Sequence, residues 1–461
     1  MGHNAMVDNG ELLAGVRTVT NLAAYLEELK AAATQLAGRV GAGRRGYFTP
    51  SEEEQVLGLL VSYRQTRSAL LELIASLRAG VSSAPPAPPE AFLVAFAAAL
   101  LLVDAARFLR QLVAGRPVLR RKLNEPAPSF GIPGGTYDSV QKSLVSPRHA
   151  WHLYHAWHYF EQQQASLRSL AEGGPLEPLV PLVDRLLPRL DVPLAAFART
   201  RLRTRVDQLA RHVGRQTVMR AIYGLQKLGS SLISGVYVRP GHCPRLAEDA
   251  AASARQLLRP GDVLVTRKDY VLTNYFLPGY WPHAALYLGR LDDLVQLQIA
   301  AHPHIASRWH ELARNAGHEP QLVLESLKDG VRIRTLGSPL ACDALVVLRP
   351  RLPQPLLGQA LARAMAHEGK PYDFDFNFAR SDRLVCTEVV YRAYDGMGGI
   401  GFTLVQRAGR PTFAGRDLVR LGLEGDAFEP LAVAAPRLAA GLVTGDQVPA
   451  IIRQAESDPE T

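Results

Sequence analysis

Apolar positions change their period part-way along the chain. Up to about residue 240 they recur three and four apart, the spacing of one face of a helix. Val56, Leu60, Tyr63, Leu70, Ile74 and Leu77 form one such seam, with Arg67 in its polar slot. Thr49-Pro50-Ser51-Glu52 offers a cap, a proline at the first helical position and an acid three residues after the threonine, so the spacing predicts a helix beginning there. An apolar seam needs a partner, and Leu22, Leu26, Leu29, Ala33 and Leu36 supply a second one. Loops are expected at Gly80 to Pro89 and Asn124 to Gly135. Between them the apolar run from Ala91 to Val103 is shorter than the roughly 18 to 20 residues that span a bilayer, and reads as a buried helix.

Beyond Pro260 the period shortens. Asp262 to Thr266, His283 to Gly289, Leu294 to Ala300, Gln321 to Leu327, Val331 to Arg334 and Asp343 to Leu348 read as strands, punctuated by Pro260-Gly261, Asp329-Gly330 and Gly337-Ser338-Pro339. A helix follows at Pro355 to His367, and a second where Cys386, Val389, Val390 and Ala393 share one face. The class is therefore α+β: an all-helical domain over 1–240, a mixed domain over 241–435 and a C-terminal tail over 436–461, joined near Gly229 to Pro244. Gly396-Met397-Gly398-Gly399-Ile400-Gly401 has the spacing of a dinucleotide fingerprint, but it follows a helix instead of a strand and reads as a helix stop.

Composition narrows the classes. With 461 residues two domains are the natural division, and 47% hydrophobic with 21% charged residues describes a folded chain. The net charge of +9 favours acidic substrates or an anionic membrane surface; its densest cluster is Arg199, Arg201, Arg203, Arg205, Arg211 and Arg215. Leu202, Val206, Leu209 and Val213 run through that cluster, which makes it the solvated face of a helix, and no aromatic-interleaved basic motif points to nucleic acid. Cys243, Cys342 and Cys386 make neither a disulfide framework nor a metal-ligand spacing, so a reducing compartment is expected. The first residues lack a basic stretch leading into an apolar one, which points to a cytoplasmic location. His149, His152, His155 and His158 advance by threes and drift around a helix, so they cannot share one ion; neither a metal nor a cofactor is expected.

Chemistry concentrates at Cys386. It opens its helix, Ser381 and Asp382 are placed to cap it, and Glu388 puts a negative charge in the first turn. A thiol at a helix start is acidified by the free N–H groups and the dipole. The matching base is His283, at the head of its strand beside Trp281 and Pro282, which read as pocket wall. His302, His304 and His310 read as surface histidines.

The run Arg259-Pro260-Gly261-Asp262-Val263-Leu264-Val265, then Asn274, then Pro278-Gly279-Tyr280-Trp281-Pro282-His283-Ala284-Ala285-Leu286-Tyr287-Leu288-Gly289 is followed in order by Glu325, Gly369-Lys370-Pro371-Tyr372-Asp373-Phe374 and Cys386-Thr387-Glu388. Together these resemble the YiiX/YebB-like branch of the permuted NlpC-type cysteine hydrolases, over about residues 255 to 420. The resemblance implies a circularly permuted papain-like domain, with the histidine strand preceding the nucleophile helix. Tyr372 and Asp373 match the family's segment before the cysteine, which implies that they line the substrate cleft or, equally, form a turn that positions the nucleophile. Acyl transfer then gives each residue a role. Cys386 attacks as thiolate, its own N–H is the first oxyanion donor, and His283 carries the proton. Glu325, sharing a strand face with Val323 and Leu327, orients the imidazole, with Gln298 as runner-up; the second oxyanion donor has no place yet. The expected activity is hydrolysis of an amide, ester or thioester. The alternatives are a lipid acyltransferase resembling lecithin-retinol acyltransferase and a non-catalytic papain-like binding module.

Overall fold

The computed structural model describes residues 9–77, 89–145, 147–190, 244–269, 279–303, 305–315, 320–407 and 410–457. Outside them lie the basic cluster Arg199 to Arg215, most of the expected junction from Gly229 to Cys243, the loop over 80–88, Asn274 and His304; the side chains of His149 and His152 are likewise outside. The chain divides into two compact units, Met1–Gly241 and His242–Thr461.

The first unit is helical throughout its described residues. Its long helices are α1 (Asn9–Arg39), α3 (Pro50–Ser76), α4 (Pro89–Val113) and α7 (Pro147–Ala171); α2 (Ala42–Arg45), α5 (Pro117–Asn124), α6 (Thr136–Val145) and α8 (Leu179–Leu186) are shorter. The Thr49 hydroxyl accepts from the Glu52 N–H, and the Glu52 carboxylate accepts from the Thr49 N–H at 2.9 Å, so α3 starts where its capping box predicts. At the centre is α4, packed on α1, α3, α7 and α8, with Phe92 against Tyr159 and Phe96 stacked on Phe160.

The expected apolar run is only part of this 25-residue helix, which is long and apolar enough to cross a membrane; 83% of its most apolar window is nonetheless buried within the protein. It is longer than the run because Asp104 continues it. That carboxylate is buried but meets Lys30 of α1 and Arg189, so it can sit mid-helix without an unpaired charge. In the loop expected at Asn124 to Gly135, Pro128–Phe130 form a 3-10 turn clasped by a bridge between Ala127 and Ile132.

The second unit is built on a seven-stranded antiparallel sheet in the order β4-β3-β2-β1-β5-β8-β9. The strands are β1 (Val263–Arg267), β2 (His283–Gly289), β3 (Leu322–Leu327), β4 (Gly330–Thr335), β5 (Ala344–Pro350), β8 (Phe428–Ala434) and β9 (Val443–Thr444); β6 (Val405–Arg407) and β7 (Arg410–Thr412) pair apart from it. Its middle strands are buried on both faces, which is why they read as continuous apolar runs.

Two expectations need correction. Leu294 to Ala300 is not a strand: Leu291–Gln296 is a helix and Ile299–Ala301 a 3-10 turn, because the Asp293 carboxylate accepts the Arg290 N–H at 2.7 Å and closes a helical start. The segment expected as a tail, 436–461, is structured as far as Ser457. It supplies β9, which pairs with β8, and the helix Val448–Ser457, which packs on β8 through Val448, Ile452 and Ala455.

Candidate active site

The helix Cys386–Tyr394 packs against β2 and β3 and against the helix Gln354–Met365. Its N-cap is Val385, extended and without a side-chain cap; Ser381 and Asp382 stand too far upstream, and Asp382 pairs instead with Arg380 and Arg383. What sets the start is the chain before it. Tyr372 bridges Leu384 in parallel, and the Ser326 hydroxyl donates to the Leu384 carbonyl at 2.7 Å, which holds that stretch extended until Cys386. As the first helical residue, Cys386 has an N–H with no acceptor inside the helix. The Thr387 hydroxyl pins the same turn by donating to the Phe413 carbonyl at 2.6 Å.

The sheet brings the base to this helix start. Tyr287 of β2 lies opposite Val323 of β3, and opposite residues share a face. The period of two therefore puts His283 and Glu325 on that same face, as diagonal neighbours within reach of long side chains. His283 Nε2 lies 2.8 Å from the Glu325 carboxylate. Expected from sequence as the orienting acid, Glu325 is 1% exposed, on an inner strand of the sheet. Its other oxygen accepts from the Ser338 hydroxyl and lies 3.3 Å from Arg334 Nε, while Arg334 also pairs with Asp329. Ser338 and Arg334 were not singled out in the sequence; a serine in a turn and an arginine in a strand carry no signal of their own.

Nε2 is taken by Glu325; the Cys386 and His283 side chains interact, and the Cys386 sulfur lies 3.9 Å from the carbonyl of Pro282, the residue before the histidine. Burial alone would raise the Cys386 thiol, but the imidazolium and the N–H groups of Ala284 and Thr387 outweigh it and hold the thiol below its ordinary value. Burial alone would lower His283, but the thiolate beside it and Glu325 raise it to about 9. Glu325 is drawn down to about 2: burial opposes its charge, while His283, Arg334 and Ser338 favour it. The thiol is shifted down and the imidazole up, the directions that favour an ion pair between them. Cys342 shows the contrary case, since burial among apolar side chains pushes its thiol up to about 12.

The remaining candidates divide. Tyr372 is 8% exposed and close enough to Cys386 for the thiolate to oppose its ionisation, burial being the larger cause of its raised pKa. Asp373 is fully buried, and its oxygens accept the N–H groups of Asp375 at 3.0 Å and Asn377 at 2.6 Å, so its carboxylate closes a turn. Trp281 is fully buried with its ring edge-on to Tyr280, and its carbonyl abuts Gly415, where a Cβ would come within 2.1 Å of that oxygen. Gln298 adopts a left-handed turn before the Ile299–Ala301 segment and borders a groove with Gln354 and Gln359, while Glu325 holds the imidazole. Among the described residues no cluster of His, Cys, Asp and Glu could hold a metal ion.

A thiol on a helix N-terminus, a histidine at the head of an adjacent strand and a buried carboxylate behind it form the arrangement of papain-like enzymes, with the strand here preceding the helix in the chain. Residues 257–421 match the permuted papain-like amidase family, YaeF/YiiX, C92. The C-terminal part of this protein is therefore a permuted papain-like domain, and the family's activity is that of an amidase. The match leaves the helical unit outside it. No curated protein and no solved structure matches the chain.

Proposed function

We propose that the protein is a thiol-dependent hydrolase that cleaves an amide, ester or thioester through an acyl-enzyme on Cys386. The observation that carries this is the His283 imidazole, held at 2.8 Å by buried Glu325 on one side and facing the Cys386 sulfur on the other. In the first half-reaction the thiolate attacks the carbonyl carbon, and His283 delivers its proton to the departing amine, alcohol or thiol. In the second, His283 takes a proton from water, whose oxygen attacks the thioester and regenerates the thiolate. The oxyanion formed in each step is met by the Cys386 N–H. Tyr372 is our assignment for the second donor: it lies beside the sulfur, and its phenol stays protonated through the working range.

Iodoacetamide at pH 6 tests the reading, because a thiolate is the reactive form. Rapid alkylation confined to Cys386, lost in His283→Ala, is expected. A rate equal to that of free glutathione would remove the catalytic assignment and leave a papain-like binding module.

A further inference from the structure

The helical unit contains a partly open cavity of about 240 Å³ at one end of α1, α3 and α4, flanked by α2 and α5, which touch each other. Its walls are aliphatic and aromatic: Leu26 and Leu29 of α1, Leu60 of α3, and Phe108 and Leu112 of α4. For scale, an apolar cavity of about 150 Å³ in another protein stays dry and takes up benzene. A space this large and this apolar gains little from water, which needs polar partners, and gains from an apolar guest.

The two short helices that supply part of this lining are basic. Arg44 and Arg45 lie on α2, and Arg116, Arg120 and Arg121 on α5 and the turn before it, all of them exposed. Arg45 meets Glu52 and Arg120 meets Asp138, whereas Arg44, Arg116 and Arg121 pair with no carboxylate among the described residues. Arg116 itself lines the cavity. Lys30 lines it too, but its charge is already spent on Glu27 and buried Asp104. Any negative head group is therefore drawn to the arginines and any tail to the interior.

We propose that this cavity binds a single-chain anionic amphiphile, a carboxylate with a medium-length alkyl tail. The tail displaces nothing polar, and the carboxylate sits among arginines whose planar forks suit it. This proposal rests on the helical unit alone and stands whether or not Cys386 is catalytic.

Calorimetric titration of the full-length protein with sodium decanoate below its micellar range tests it, with 1-decanol as the uncharged probe of the same tail. Saturable one-to-one binding of decanoate is expected, weakening with added salt, and decanol should bind about tenfold or more weakly. Ala33→Trp, or Ala37→Phe if the first variant melts early, puts a ring into the cavity and should abolish binding. The double charge reversal Arg116→Glu with Arg121→Glu should weaken decanoate by about tenfold or more and leave decanol unchanged. Absence of saturation, equal affinity for the two probes, or undiminished binding in a folded cavity-filling variant would each overturn the proposal. So would binding to anionic phospholipid vesicles without any to decanoate, since that would place the arginines on a membrane-facing surface.

Discussion

Replacing Glu325 with glutamine removes one charge and almost no volume. The carboxylate is ionised across the working range, since its pKa is drawn down to about 2. Glutamine can still offer an oxygen to His283 Nε2, which fixes the tautomer, but its amide nitrogen must then face Ser338 and Arg334. The serine hydroxyl can rotate to accept from it; the guanidinium has only donors and cannot. Leaving that side half-satisfied in a buried position costs about 1–3 kcal/mol of stability. The imidazolium loses more selectively. A hydrogen bond to a charged partner contributes about 1.5–3 kcal/mol against about 1 for a neutral one, so the difference is on the order of 1 kcal/mol, close to one pKa unit. His283 should fall from about 9 towards roughly 8, and the Cys386 thiol should rise as it falls, because it is the imidazolium that holds the thiol down. The assay is the pH dependence of iodoacetamide alkylation at Cys386, read by intact mass. The alkaline limb of turnover should move down as the alkylation midpoint moves up. Profiles that overlay those of the parent protein would refute the assignment of Glu325, whatever the variant does to stability.

Other expectations follow from single contacts. Cys342 should resist iodoacetamide in the native protein and react only on unfolding, as peptide mapping would show, because burial raises its thiol to about 12. Tyr372→Phe should lower kcat by about a hundredfold with little change in the alkylation profile, the mark of a lost oxyanion donor; unchanged kcat would remove that role. Gly415→Ala drives a Cβ to 2.1 Å from the Trp281 carbonyl, so it should cost about 1–3 kcal/mol in urea unfolding and disturb His283, two residues on. Glu388 is fully buried, bonded to Arg392 through one oxygen only, and burial, with Asp373 nearby, raises it to about 7. An acid raised on folding favours the folded state below its unfolded pKa, and that contribution is lost as pH rises through the folded value. Between pH 5 and 8, about the range of the shift, the parent should therefore lose more stability than Glu388→Gln. Parallel urea midpoints would contradict the raised carboxyl.

The site was legible to the extent that its residues announce themselves by period. Cys386 begins an apolar helical face and His283 heads a strand, so both could be placed on elements, and Glu325 betrayed itself as a charge between Val323 and Leu327. The elements supporting them were less visible. Val385 became the helix cap because Ser326 and Tyr372, distant in sequence, hold Leu384 extended. Asp373 reads from sequence as either a cleft residue or part of a turn, and its carboxylate accepts the N–H groups of Asp375 and Asn377, closing the turn. Leu294 to Ala300 alternated like a strand until Asp293 capped it as a helix. In each case a side chain bonded to the backbone decided, and outside a recognised cap such as Thr49 with Glu52 the sequence does not mark which backbone group a side chain will meet.

Cys342 and Cys386, the two cysteines among the described residues, are both buried, yet their thiols shift in opposite directions, and the difference lies in what surrounds the sulfur. Around Cys342 are Leu336, Leu340, Leu345 and the small face of the helix Glu248–Leu257, which stabilise only a neutral thiol. Around Cys386 are a helix N-terminus, two backbone N–H groups and an imidazole that burial would lower, were it not raised by the sulfur itself and by Glu325. Burial alone therefore quenches a thiol; burial with a paired counter-charge keeps its thiolate from water. That arrangement is supported by a chain of contacts from Cys386 through His283 and Glu325 to Arg334, which also pairs with buried Asp329 and whose side chain is 19% exposed. Arg334→Met should thus weaken the nucleophile without touching it. The Cys386 alkylation midpoint should rise, by less than in Glu325→Gln because Ser338 still holds the carboxylate. An unchanged midpoint would mean that Glu325 needs no support beyond His283 and Ser338.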